Sequence, residues 1–239
     1  MTKRQLQIGK SFGVLIGLLR ARKTFIEEIR QGVGLDNKIF SLLIASSTFF
    51  AVYGAIIGAS DRYHSFLQAM SSAVKLPALY LMTLGICFPT LYFFSILFGD
   101  KKSFGQYLAL LMAAVSVISV LLFAFAPVTL FFLITAYNYQ FFKLLNVAIF
   151  ALTGFFGISL FYEGMQYMAE QDTDEGQANR SKLLKFWLVL YAVVGTQLGW
   201  TLRPFFGAMT NEKFVLFRQM EGNFYFNILE AIRHILGFK

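Results

Sequence analysis

The chain opens on a segment in which basic residues punctuate an apolar repeat. It then runs through long, almost wholly apolar stretches and closes on a second punctuated repeat. Within residues 5–31, Leu15, Leu18, Leu19, Arg22, Ile26 and Ile29 fall at mostly three-to-four spacing, which predicts an amphipathic helix. Such a helix either lies in the membrane interface or docks on the protein's own cytosolic face, and Gly32 and Gly34 break it. A helix that crosses the hydrocarbon core needs roughly 20 apolar residues, because the core is about 30 Å thick and each residue rises about 1.5 Å. Ile39–Ala59 and Leu76–Gly99 meet that need without a charged residue, and Phe104–Phe142 also runs without charge. Leu144–Tyr162 and Leu183–Leu202 follow, the latter interrupted by Lys185 alone. Each run must pair its own backbone polar groups inside the bilayer, so helices are predicted and open strands are not. The closing segment Asn223–Lys239 places Phe224, Ile228, Leu229, Ile232, Ile235 and Leu236 at helical spacing; it is too short and too charged to span.

Phe104–Phe142 has two readings. One span near Gln106–Ala126 followed by an apolar outer loop gives five crossings; two short spans hinged at Pro127 give six. Asn138 is the only strong polar turn signal further on. The excess of Lys and Arg ahead of the first span puts the N-terminus in the cytoplasm, and the same rule favours six spans. Turn chemistry favours five, since Leu121–Ala126 offers no polar residue for a water-facing hairpin. The expectation is five. In the second run Pro77 sits near the start, and Pro89 is interior and is expected to bend the helix.

Composition agrees with the pattern. Of 239 residues, 57% are hydrophobic and 14% charged, against about 25% charged in a soluble domain. An ordinary soluble enzyme, a disordered tail and a disulfide scaffold are excluded on that ground. The net charge is +8. Its basic residues crowd around apolar segments, so an anionic leaflet is the expected counterpart and nucleic acid is not. Cys87 lies in an apolar run and reads as a small buried hydrophobe. No secretory signal is expected, because Arg20, Arg22 and Lys23 stand where a cleavage site would fall. The expected fold is all-α: a polytopic transmembrane helical bundle with amphipathic N- and C-terminal helices. Its segments are 1–37 (basic and amphipathic), 38–205 (bundle) and 206–239 (amphipathic tail).

Candidate chemistry is sparse. Gly54 and Gly58 form a GxxxG pattern in the first span, and Gly195 and Gly199 another in the last. Glycines four apart let helix backbones approach closely, within one subunit or between two. Ala148, Ala151, Gly154 and Gly157 form a further small-residue stripe. Glu163, at the end of the fourth run, and Gln197, inside the last run near Trp200, are the candidate intramembrane polar groups; Pro89 joins them as a helix breaker. Arg203-Pro204 is a candidate partner contact. The acidic stretch Glu170–Glu175 fails as a calcium loop, since Gln177 and Leu183 occupy the positions where glycine and glutamate are needed from Asp172. Asn179–Ser181 is formally a glycosylation sequon. His64 and His234 are the only histidines, and no metal-ligand, phosphate-loop or nucleophile–base pattern is present.

Lys75-Leu-Pro77, Pro89-Thr-Leu-Tyr92, Ala126-Pro127-Val128, Leu144-Leu-Asn146-Val147 and Gly199–Phe205 together resemble a family of polytopic bacterial membrane proteins, often cyanobacterial. The layout is also loosely similar to Yip-type membrane proteins. The resemblance implies an integral protein of the bacterial inner or thylakoid membrane and carries no catalytic residue. The expected function is a non-enzymatic scaffold, assembly factor or accessory subunit; a small-solute or ion transporter is the alternative. No cofactor or metal is expected. The expected partners are the lipid bilayer and other membrane proteins, a second copy of the chain among them.

Overall fold

A computed structural model describes residues 3–60, 65–135, 139–170, 177–205, 216 and 224–235. Among these residues there are eight helices and no strand: α1 (Lys3–Arg20), α2 (Arg22–Arg30), α3 (Leu35–Gly58), α4 (Ser65–Leu97), α5 (Phe104–Thr135), α6 (Tyr139–Glu170), α7 (Gln177–Thr201) and α8 (Phe224–Ile235). Five of them, α3 to α7, are long and apolar enough to cross a membrane. The fold is an all-α polytopic helical bundle with amphipathic helices at both ends. Contacts gather the chain into two compact units: Met1–Thr48 with Leu84–Val120 and Gly154–Ala192, and Phe49–Thr83 with Leu121–Thr153 and Val193–Lys239. Each of α3 to α7 contributes a stretch to both units, so the units do not coincide with the three sequence segments.

The N-terminal repeat is two helices rather than one. They part at Ala21, whose backbone (φ −129, ψ 56) leaves the helical region. In the first unit, Phe25, Ile26 and Ile29 of α2 are buried, and Leu15 and Leu18 of α1 with them. Arg22 Nη2 pairs with Glu163 Oε2 of α6 at 2.6 Å. The apolar face of α2 is therefore docked on this protein's own helices. The helix ends at Gly32, whose φ of +76 suits glycine. Gly32 N–H donates to Ile29 O and Val33 N–H to Glu28 O, closing the last turn.

Four expected boundaries move, in three places along the chain. First, α4 begins at Ser65 and not at Leu76, so Pro77 is interior. Gln68, Ser72 and Lys75 lie ahead of the apolar run in sequence, yet all three are buried on one face. Second, the apolar outer loop expected after Ala126 is helix. α5 continues through Pro127 to Thr135 and α6 starts at Tyr139. Asn138, the expected turn signal, lies outside the described residues, as do His64 and most of the acidic stretch. Third, α6 and α7 begin ahead of their apolar runs, and α7 includes the sequon.

α5 is the most buried spanning helix, with 61% of its most apolar window covered, and α7 the least, with 11%. In the first unit every residue of 109–116 is buried, from Ala109 through Ser116, so neighbours surround α5 there on all sides. A capping box starts that helix. Gln106 N–H donates to Ser103 Oγ, and Ser103 N–H donates to Gln106 Oε1. The same Gln106 amide donates to Arg30 O at 2.6 Å and so also satisfies the end of α2.

Candidate functional site

The densest polar arrangement in the second unit is a row on α4. Gln68, Ser72 and Lys75 stand at i, i+4 and i+7, one helical face. They are only 2%, 0% and 6% exposed. What they hold is the chain beyond α7. Gln68 Nε2 donates to Pro204 O at 3.0 Å and to Ser72 Oγ at 3.3 Å. Ser72 Oγ donates to Phe205 O at 2.7 Å. Lys75 Nζ donates to Pro204 O at 3.3 Å and also to Leu216 O. Leu202–Phe205 has left the helix, so its carbonyls have no ladder partner. A buried orphan carbonyl costs about 1–3 kcal/mol, and the α4 row removes that cost. Chemically the row is a set of donors for backbone carbonyls. Arg203 stacks on Trp200, its guanidinium carbon 3.6 Å from the ring centroid. The Arg203-Pro204 pair, expected as a partner contact, thus has intramolecular contacts of its own.

Beside the row runs a backbone seam. A Cβ at Gly58 of α3 would come within 2.6 Å of Gln68 O and 2.8 Å of Ala69 Cα. One at Gly54 would meet the Ser72 backbone more closely still. Ala69 and Ala73 are the small residues on the α4 side, four apart as the glycines are. Gly195 and Gly199 differ. The nearest atoms to a Cβ there are Thr83 Cγ2 at 3.5 Å and Leu79 Cδ2 at 3.8 Å, ordinary contact distances. In the first unit Gly157 faces Ile118 and the Ala114 carbonyl, and Gly164 faces Leu110. Gly154, in the same small-residue stripe as Gly157, meets nothing within 4 Å.

Three further residues meet in the second unit. Tyr53, Thr129 and Asn146, on α3, α5 and α6, are all fully buried. Tyr53 donates its proton to Asn146 Oδ1 at 2.8 Å, so the Thr129 hydroxyl is the donor across its 3.0 Å contact with Tyr53. Asn146 Nδ2 then donates to Phe142 O. None of the three was singled out from sequence for a site. The sole signal was an Asn inside an apolar run.

The expected intramembrane groups divide between the units, Pro89 and Glu163 in the first and Gln197 in the second. Glu163 is exposed and paired with Arg22. The Pro89 side chain is exposed, turned away from its unit's core. Gln197 is half-buried on α7, and its carbonyl accepts from Thr201.

In the first unit Asp100 and Lys102 form a nearly buried pair at 2.9 Å between α4 and α5. Asp100 Oδ2 also accepts from the Tyr107 hydroxyl at 2.7 Å. Burial by itself would raise the Asp100 pKa, but the Tyr107 and Lys102 hydrogen bonds outweigh it and hold the carboxyl below its ordinary value. Gly99, at φ +78, turns the chain so that Asp100 can reach both. On α2, hydrogen bonds from Arg30 and Gln31 hold the Glu27 carboxyl down to about 2. Cys87 is buried, and its carbonyl accepts from the Trp187 indole at 2.9 Å. Among the described residues no three His, Cys, Asp or Glu side chains converge to hold a metal ion. Compared with known proteins, the chain matches no family model, no curated protein and no solved structure, and its geometry stands on its own.

Proposed function

We propose that the chain is a non-enzymatic integral membrane scaffold, assembly factor or accessory subunit of a membrane protein complex. One observation carries this reading: three sets of buried polar groups hold the chain's own elements together. The α4 row holds backbone carbonyls, Tyr53 joins three helices, and Asp100 joins Lys102 and Tyr107. Ion-coupled transport places ionisable groups toward the bundle interior, facing each other or a cavity. Here Glu163 faces outward, and the buried Lys75 is taken up by the Pro204 and Leu216 carbonyls. The basic N-terminal segment favours a cytoplasmic N-terminus, and the sequence resemblance favours a bacterial inner or thylakoid membrane.

The test is solubilisation in a mild detergent, followed by affinity capture and native mass spectrometry. The expected result is a stoichiometric complex with another membrane protein or a second copy. A chain that remains monomeric and alone under several mild detergents overturns the reading. Solute or ion flux in reconstituted vesicles that disappears in Gln197→Ala would put transport in its place.

A further inference from the structure

The described face of α8 is apolar and open. Tyr225, Phe226, Leu229 and Ile232 are 51%, 65%, 54% and 40% exposed. At about 100° per residue these four fall within an arc of roughly 120°, which the exposed Arg233 shares near the end of the helix. Phe224 and Ile228, on the arc's flank, are half-buried. The level of this helix is set by a contact inside its own unit: Tyr225 Oη lies 3.1 Å from Thr196 Oγ1. Thr196 belongs to the spanning helix α7, which ends at Thr201. Five residues of helix are about 7.5 Å, so the Tyr225 hydroxyl lies about that far inside the end of a span. Amphipathic interfacial helices sit about 5–10 Å into the headgroup and acyl boundary.

We propose that α8 is an interfacial anchor lying in the bilayer surface at the Thr201 end of α7, its Tyr225–Phe226–Leu229–Ile232 face sunk among acyl chains. Three features select lipid as the occupant. The medium beside a spanning helix at that depth is the bilayer. The face carries two aromatic side chains, and tyrosine with its polar tip suits the boundary between chains and headgroups. The helix has one acidic and one basic residue, Glu230 and Arg233, so insertion is driven by apolar area and not by anionic headgroups. The inference rests on α7 crossing the membrane.

The test uses full-length protein in a Cys87→Ser background, reconstituted in phosphatidylcholine vesicles. Single cysteines replace Leu229, Asn227 and Val189, each carrying a nitroxide whose collisions with oxygen and with a water-soluble nickel chelate are compared. Val189 is an exposed position on α7 and reports on the span itself. The expected result is a several-fold higher oxygen-to-nickel ratio at Leu229→Cys than at Asn227→Cys, with Val189→Cys deeper than both. A lipid signal at Val189→Cys with nickel access at Leu229→Cys overturns the anchor alone. Nickel access at all three overturns the span and the anchor together. An immobilised nitroxide at Leu229→Cys shielded from both reagents means that protein covers the face, and also overturns it.

Discussion

Tyr53, Thr129 and Asn146 are uncharged polar residues in otherwise apolar helices, and none of the three retains contact with solvent. Interhelical hydrogen bonds within membranes average about 0.6 kcal/mol and reach about 1.7. Full burial and three participating helices put this set toward the upper end. In a double-mutant cycle, Tyr53→Phe and Asn146→Leu are each expected to lower thermal stability in detergent, with a coupling of about 1 kcal/mol. Strict additivity would show that the two residues act independently. Sequence could not pair them, because 76 and 93 positions separate Tyr53 from its partners and nothing local links them. Asp100 makes a second residue-scale case. Its carboxyl is held below the usual aspartate range, so the folded state releases the proton more readily than the unfolded chain. The clamp is therefore fully present above the ordinary value of about 3.9 and is lost as pH falls through the lower folded value. Asp100→Asn keeps an acceptor for Tyr107 but removes the charge facing Lys102. Its melting temperature is expected to lie below wild type at neutral pH, and the gap is expected to narrow as pH falls below about 4 and to close beneath the lower folded value. A gap that stays constant on acidification would rule out the charge as its source.

Between elements, the α3–α4 seam makes the sharpest demand on residue identity. A methyl at Gly54 would press on the Ser72 backbone, which cannot rotate aside as a flexible side chain can. A methyl at Gly199 would meet Leu79 at 3.8 Å, within normal contact. Overpacking typically costs about 1–3 kcal/mol. Gly54→Ala is expected to fall in that range and Gly199→Ala to stay within about 0.5 kcal/mol of wild type. Equal melting temperatures for the two variants would remove the seam. The two GxxxG patterns look alike in sequence, and only the partner surface separates them: α4 offers Ala69 and Ala73 to the first, and bulky Leu79 to the second. Helix edges were legible where local chemistry closes them, as at Gly32. They were not legible where burial is decided by a distant segment. Gln68, Ser72 and Lys75 look like the polar lead into a span until Pro204 and Phe205 fold over them. The capping box of Ser103 and Gln106 could have been read from its spacing and would have placed the start of α5.

For the whole molecule, the number of crossings decides on which side each end lies, and two physical rules disagree about it. The positive-inside rule favours six spans, which requires 104–142 to cross twice, hinged near Pro127. A hinge at Pro127 leaves only 127–142 for the second crossing, 16 residues or about 24 Å, short of a hydrocarbon core of about 30 Å. Uninterrupted, the 32 residues of α5 measure about 48 Å and cross with length to spare for tilt or protrusion. Proline removes one backbone donor, which a helix surrounded by neighbours tolerates more easily than a hairpin of apolar residues tolerates exposure of its backbone to lipid. Length therefore outweighs charge here, and five crossings put the two ends of the chain on opposite sides. Single cysteines at Thr2 and Lys239 in the Cys87→Ser background test this with a membrane-impermeant maleimide on intact cells. Lys239→Cys is expected to label directly and Thr2→Cys only after permeabilisation. Labelling of both ends without permeabilisation, or of neither, would require an even number of crossings and would break α5 at Pro127.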